Sequence, residues 1–162
     1  MRTQSRALVA VAVSFALLAG GARPLSAQLP KDACAEVTQA QVAAALGMQV
    51  HEGQSINSLG TACSWEATSP NKARLTVQFM VADSYDRLKS ERMPRVEKSP
   101  VAGIGDDAFS QAIPFSTTVP KMTTLIVRKG KTMVVLRTYG VRDAAKQLSA
   151  EKAVARAVAS KL

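Results

Sequence analysis

The sequence predicts an α+β domain: an antiparallel sheet of about five to six strands with helices packed on it, in the order helix, strands, helix, strands, helix. Three observations carry this. Apolar and polar residues alternate along Ala73 to Ala82, the pattern of a strand with one buried face. Two runs rich in β-branched residues, Thr123 to Arg128 and Thr132 to Tyr139, are joined by Lys129-Gly130-Lys131, a hairpin signal. Strands come in runs instead of alternating singly with helices, which favours an antiparallel sheet over a parallel nucleotide-binding one.

The elements follow in chain order. Arg2 and Arg6 precede an apolar run from Ala7 to Leu18, then small residues and Leu25-Ser26-Ala27. That is a secretory signal peptide over 1–27, cleaved near Ala27, with Gly20-Gly21-Ala22 as an earlier alternative. The run is too short for a stable membrane span. Residues 28–162 then form a single domain. Thr38-x-x-Gln41 resembles a capping box, Val42, Ala43 and Leu46 give an apolar side, and Gly47 stops a helix over 38–46. Met48 to His51 reads as a brief strand, and Glu52 to Gly60 as a polar connection. Thr61 to Ala67 is a strand carrying Cys63 and Trp65. In the strand from Ala73, Leu75, Val77, Phe79 and Val81 face one way and Arg74, Thr76, Gln78 and Met80 the other. A helix opens at Asp83 or Ser84 and runs to about Met93. Pro94 and Pro100 bound an irregular stretch, Gly103 to Asp107 a turn, and Ala108 to Ala112 a short strand. Pro114 and Pro120 frame a loop before the hairpin. The last helix starts at Ser149, with Val154, Val158 and Leu162 forming its docking edge.

Composition and cysteine usage narrow the class. The chain carries 21 Lys and Arg against 12 Asp and Glu. Without the signal segment, which contributes Arg2, Arg6 and Arg23, the balance is 18 against 12, a net +6. Acids interleave with bases between Asp83 and Arg92, the pattern of a solvated face and not of a nucleic-acid footprint. Weak contact with anionic envelope surfaces is the more natural consequence. Cys34 and Cys63, the only cysteines, meet an oxidising compartment after export, and a disulfide between them is expected. Their wide spacing suits a structural staple and not a redox pair.

Several strings carry a resemblance: Asp32-Ala33-Cys34; Thr38 through Ala43 to Leu46-Gly47; Gly60-Thr61-Ala62-Cys63-Ser64-Trp65; Val101 through Gly103-Ile104-Gly105-Asp106-Asp107 to Phe109; and the hairpin at Arg128-Lys129-Gly130-Lys131. Together they resemble a domain common in bacterial exported proteins of unknown function. The resemblance covers nearly all of the chain after the signal segment. It implies an antiparallel sheet flanked by helices, like the photosystem assembly protein fold, and it implies no catalytic residues. Many such proteins are lipoproteins. Here Pro30-Lys31-Asp32-Ala33 before Cys34 does not fit lipid attachment.

The residues offer little catalytic chemistry. His51 is the only histidine, so a Ser-His-Asp triad has one available base and no Gly-x-Ser-x-Gly elbow. No His, Cys and carboxylate set has metal-ligand spacing. Asp106-Asp107 alone does not make a calcium site, and Gly103-x-Gly105 is a turn, too short for a dinucleotide fingerprint. The methionines are scattered, as core packing requires. Arg128, Lys129, Lys131 and Arg137 form a candidate anion-contact patch, read against the alternative of lysines guarding a hairpin edge. The resulting expectation is a secreted or periplasmic non-catalytic module with no cofactor, binding a protein or small ligand of the cell envelope through its sheet face or a pocket. Two alternatives stay open: a basic protein held at the envelope surface by charge and, behind it, a hydrolase centred on His51.

Overall fold

The computed structural model describes residues 29–70, 72–113 and 122–162. The expected signal segment, 1–27, and the loop framed by Pro114 and Pro120 lie outside the described residues. The chain forms four α-helices and seven strands among these residues: α1 (Ala33–Glu36), α2 (Gln39–Leu46), β1 (Gln54–Ser55), β2 (Ala62–Glu66), β3 (Arg74–Val81), a 3-10 turn (Ala82–Ser84), α3 (Tyr85–Ser90), β4 (Glu97–Pro100), β5 (Asp107–Ile113), β6 (Met122–Lys129), β7 (Thr132–Tyr139) and α4 (Ala144–Ala159). The strands make one antiparallel sheet in the order β1-β2-β3-β7-β6-β5-β4.

The register aligns the apolar sets of neighbouring strands. Cys63 stands opposite Val77, Val77 opposite Leu136, and Leu136 opposite Leu125. Because side chains alternate with period two, this row and its parallel rows put one face of β2, β3, β7 and β6 into the core. Trp65, Leu75, Phe79, Val127 and Val134 fill it from the sheet, and Val37, Val42, Val154 and Val158 from the helices. α4 lies across β6 and β7, α2 packs on α4, and α1 sits against β2. All three helices therefore cover the same face.

α2 follows its sequence signals. Thr38 Oγ1 accepts from Gln41 N at 3.2 Å, Gln41 Oε1 accepts from Thr38 N at 2.9 Å, and Gly47 ends the helix with φ +67°. The disulfide Cys34–Cys63 joins α1 to β2, with Cα atoms 5.1 Å apart. The strand end at Gly53 passes directly over it. A Cβ at Gly53 would lie 2.5 Å from Trp65 Nε1 and 2.8 Å from Cys63 Sγ, so only glycine allows this approach. No described helix is long and apolar enough to cross a membrane.

Several expectations need correction. The sheet has seven strands, not five to six, because two polar segments read as connections, Gln54–Ser55 and Glu97–Pro100, pair as its edges. Edge strands need no apolar face, and Pro100 is tolerated there because an edge has an unpaired side. The strand expected at Met48 to His51 reduces to one bridge, Val50 with Ala67. α1 is an additional short helix, capped by Asp32. α4 begins at Ala144, not Ser149, because Asp143 Oδ1 accepts from Ala145 N and Lys146 N. Leu162 lies beyond that helix and is 41% exposed, so it does not dock.

Candidate functional site: the sheet face away from the helices

The second face of the sheet carries the alternate residues of each strand. On β5, β6 and β7 these include Phe109, Ile126, Met133 and Val135, all buried, with Asp107, Arg128, Thr124 and Arg137 in the flanking rows. A strap made of the 3-10 turn and α3 covers them, inserting Tyr85, with Ala82 and Leu88 at its margin. The Tyr85 and Phe109 rings meet edge to face, with centroids 5.5 Å apart. Burial, reinforced by the negative charge of Asp107, pushes the Tyr85 phenol well above its ordinary pKa, so it stays neutral.

On β1, β2 and β3 the same face is mostly polar, with Ala62 buried and Met80 exposed among its residues. Glu66 and Arg74 stand opposite each other in register and pair at 3.2 Å, half exposed. They border a shallow pocket of about 380 Å³ shared with His51, Gln54, Ile56 and Ser64. His51 is held there through its backbone, its N–H donating to Glu66 O at 2.8 Å. Its side chain is exposed, and no described hydroxyl or carboxylate is hydrogen-bonded to the imidazole. Among the described residues no group of three or more His, Cys, Asp or Glu is placed to hold a metal ion.

The four residues of the candidate anion patch separate into different surroundings. Arg128 Nη1 pairs with Asp86 Oδ1 at 3.1 Å, and its guanidinium lies 4.8 Å over the Tyr85 ring. Lys129 pairs with Asp106 at 3.0 Å, and the same carboxylate accepts from Gly130 N at 2.7 Å. Those two contacts, the backbone one first, hold the Asp106 carboxyl below its ordinary pKa. Lys131 is exposed at the hairpin turn. Arg137 sits opposite Thr124, five residues along β7 from Thr132 and so roughly 16 Å from the turn. The structure thus brings Arg128 and Lys129 to one end of the sheet with acids already on them, and leaves Arg137 elsewhere.

The sequence marks Asp106 and Asp107 as part of a turn, but not that Asp106 and Asp86 come to rest on Lys129 and Arg128. Asp106 and Asp107 follow two glycines at positive φ, +75° for Gly103 and +63° for Gly105, and that turn delivers Asp107 opposite Arg128 in the β5–β6 ladder. Asp107 itself pairs with Lys89 of α3 at 2.6 Å, which lowers its pKa. The signal available was the acidic pair closing a glycine turn shortly before a strand. Its destination depended on a register that only the folded sheet fixes. No family model, curated protein or solved structure matches this chain.

Proposed function

We propose that this chain is an exported, non-catalytic binding module of the cell envelope, and that its ligand surface is the sheet face turned away from α1, α2 and α4. The observation that carries this reading is the unequal cover of the two faces. One face is sealed by three helices over a continuous apolar core. The other has a short strap over one half and a polar pocket edged by Glu66 and Arg74 on the other. Polar side chains at fixed sheet spacing suit recognition of a protein segment or a small polar ligand. The Cys34–Cys63 disulfide fits an oxidising, extracytoplasmic setting. The motif resemblance to bacterial exported domains points the same way. The charge-held alternative loses support because Asp86 and Asp106 offset Arg128 and Lys129.

A photo-crosslinking residue placed at Thr76 or Gln78, on the open face of β3, tests this in intact cells. Lys152, on α4, is the control position. Discrete adducts from Thr76 or Gln78 and none from Lys152 are expected. Adducts from neither, or equally from both sides of the molecule, would overturn the choice of face. A hydrolytic role is checked separately: any activity found in the purified protein that disappears in His51→Ala contradicts the non-catalytic reading.

A further inference from the structure

The strap carries information about what the covered half of this face can hold. Tyr85 and Asp86 are adjacent in the chain and engage two different features. The Tyr85 ring fills the floor built from Phe109, Ile126, Met133 and Val135. The next residue, Asp86, sets its carboxylate 3.1 and 3.3 Å from Arg128 Nη1, while the same guanidinium stacks over the Tyr85 ring at 4.8 Å. Lys98 adds a second cation, 5.8 Å from the Phe109 ring. An apolar floor with Arg128 and Lys98 at its rim suits an aromatic side chain followed by an acid, and the chain places such a pair there itself, while Asp107 on the same rim is paired with Lys89 of the strap.

The way the strap is attached is equally informative. Ala82 N donates to Lys131 O at 2.9 Å and anchors its entry to the β6–β7 turn. Beyond that, the backbone hydrogen bonds of described residues 83–96 stay within the segment, as in Glu91 N to Arg87 O and Val96 N to Met93 O. Its links to the sheet are made by side chains: Tyr85 and Leu88 in the apolar cluster, Asp86 on Arg128, Lys89 on Asp107, and Lys98 Nζ donating to the Leu88 and Glu91 carbonyls. A hollow of about 410 Å³ lies at its exit, lined by Ser90, Met93, Val96 and Lys98 among others. Arg95, where the chain turns back to β4, has φ +64°, an unfavourable angle for a residue with a Cβ. Lifting the strap therefore breaks no strand ladder.

We propose that the strap is a built-in occupant of a latent peptide site, and that the floor at Phe109, Ile126, Met133 and Val135 with Arg128 at its rim accepts an aromatic–acidic segment of a partner protein when residues 83–92 lift away. The proposal rests on the reading of this sheet face as a binding surface, and it names the ligand chemistry for one half of it. Apparent affinity then scales with the fraction of molecules whose strap is open.

The test is fluorescence anisotropy with a labelled acetyl-Ala-Tyr-Asp-Ala-amide peptide on the full domain. Asp86→Asn/Leu88→Ala weakens the latch at one exposed and one half-buried position without touching the floor. The peptide is expected to bind this variant at least tenfold more tightly than the unaltered protein. Adding Arg128→Gln, or replacing the peptide's Asp by Asn, is expected to remove the gain. Hydrogen exchange should quicken over residues 83–92 and stay unchanged in β3, β6 and β7. Equal affinity for both proteins, a gain that survives Arg128→Gln, or exchange that quickens throughout the sheet would each overturn the proposal. If crosslinks from Thr76 and Gln78 persist while the peptide shows no gain, the strap proposal alone fails. If the crosslinks fail too, the choice of face fails with it.

Discussion

At the scale of single residues, the least conventional group is Glu151. It is fully buried between α4 and the sheet, where an apolar residue is the usual occupant. The Thr123 hydroxyl lies 2.9 Å from Glu151 Oε1 and 3.0 Å from Gln147 Oε1, and Gln147 Oε1 also accepts from Thr123 N at 2.9 Å. One hydroxyl proton cannot serve two acceptors. A protonated Glu151 resolves this, donating to Thr123 Oγ1 while Thr123 donates to Gln147. Glu151 Oε2 and the Thr138 hydroxyl are both buried and close no hydrogen bond of ordinary geometry, although Thr138 is near enough to draw the carboxyl pKa downward. Burial outweighs that pull and the charge of Arg137, and raises the pKa from 4.5 to about 8. The native state therefore binds a proton that the unfolded chain has released. The stability this group contributes is full below about pH 4.5 and declines as pH rises from 4.5 towards 8. The limit of that decline is roughly 5 kcal/mol. Glu151→Gln keeps a donor and an acceptor but cannot ionise. Urea unfolding should find it within about 1 kcal/mol of the unaltered protein at pH 5 and a few kcal/mol more stable at pH 9. A difference that does not change with pH would mean that Glu151 ionises as easily folded as unfolded.

At the scale of elements, the start of α4 separates two readings of the sequence. Ser149 looks like an N-cap, yet Asp143 performs that role and Ser149 is an exposed interior position. Asp143→Ala should lower stability by about 1 kcal/mol, whereas Ser149→Ala should leave it unchanged or slightly raised. Thermal unfolding of the two variants checks this, and the reverse order would place the helix start at Ser149 after all. The helix begins early because its first two turns bury Gln147, which no apolar periodicity reveals. Gln147 Oε1 accepts from Thr123, and its Nε2 donates to Val141 O, so a polar residue docks the helix to β6. Elements that owe their position to apolar pattern were legible in advance. β3, β6, β7 and α2 fall within a residue or two of their expected bounds, because alternation and capping are local signals. β1 and β4 were not legible. Gln54, Ser55, Glu97 and Lys98 become strand only because β2 and β5 offer them an edge to pair with. The candidate site divides in the same way. The polar outer face of β3 was readable from Arg74, Thr76, Gln78 and Met80. The acids over the basic hairpin were not, since Asp86 and Arg128 are 42 residues apart and meet only through the sheet.

At the scale of the whole molecule, the disulfide decides how the chain's described N-terminal end is held. α1 is one turn long, too short to persist by itself. Ala33 and Val37 are fully buried against the core, and Ala33 N donates to Gly60 O at 2.7 Å, so the segment is packed as well as bridged. Cys34 and Cys63 are 29 residues apart, and closing a loop of that size stabilises the fold by about 3–4 kcal/mol in the chain-entropy model. For a domain of this length that corresponds to a melting temperature lower by about 10–15 °C in Cys34→Ala/Cys63→Ala. Trp65, the sole tryptophan, lies buried in β2 two residues from Cys63, and Gly53 approaches both side chains closely. Its fluorescence therefore reports on the region the bridge secures. Below the lowered melting point the double variant should keep a buried tryptophan spectrum, because the ladders from β2 through β7 do not depend on the bridge. Amides of residues 33–37 should exchange faster, since α1 is then retained by noncovalent contacts, among them the burial of Ala33 and Val37, the Ala33 N to Gly60 O bond and the Lys161 contact to the Glu36 carbonyl. An unchanged melting temperature would mean that packing alone fixes α1. A red-shifted tryptophan at low temperature would mean that the bridge, and not the sheet, organises this end of the core.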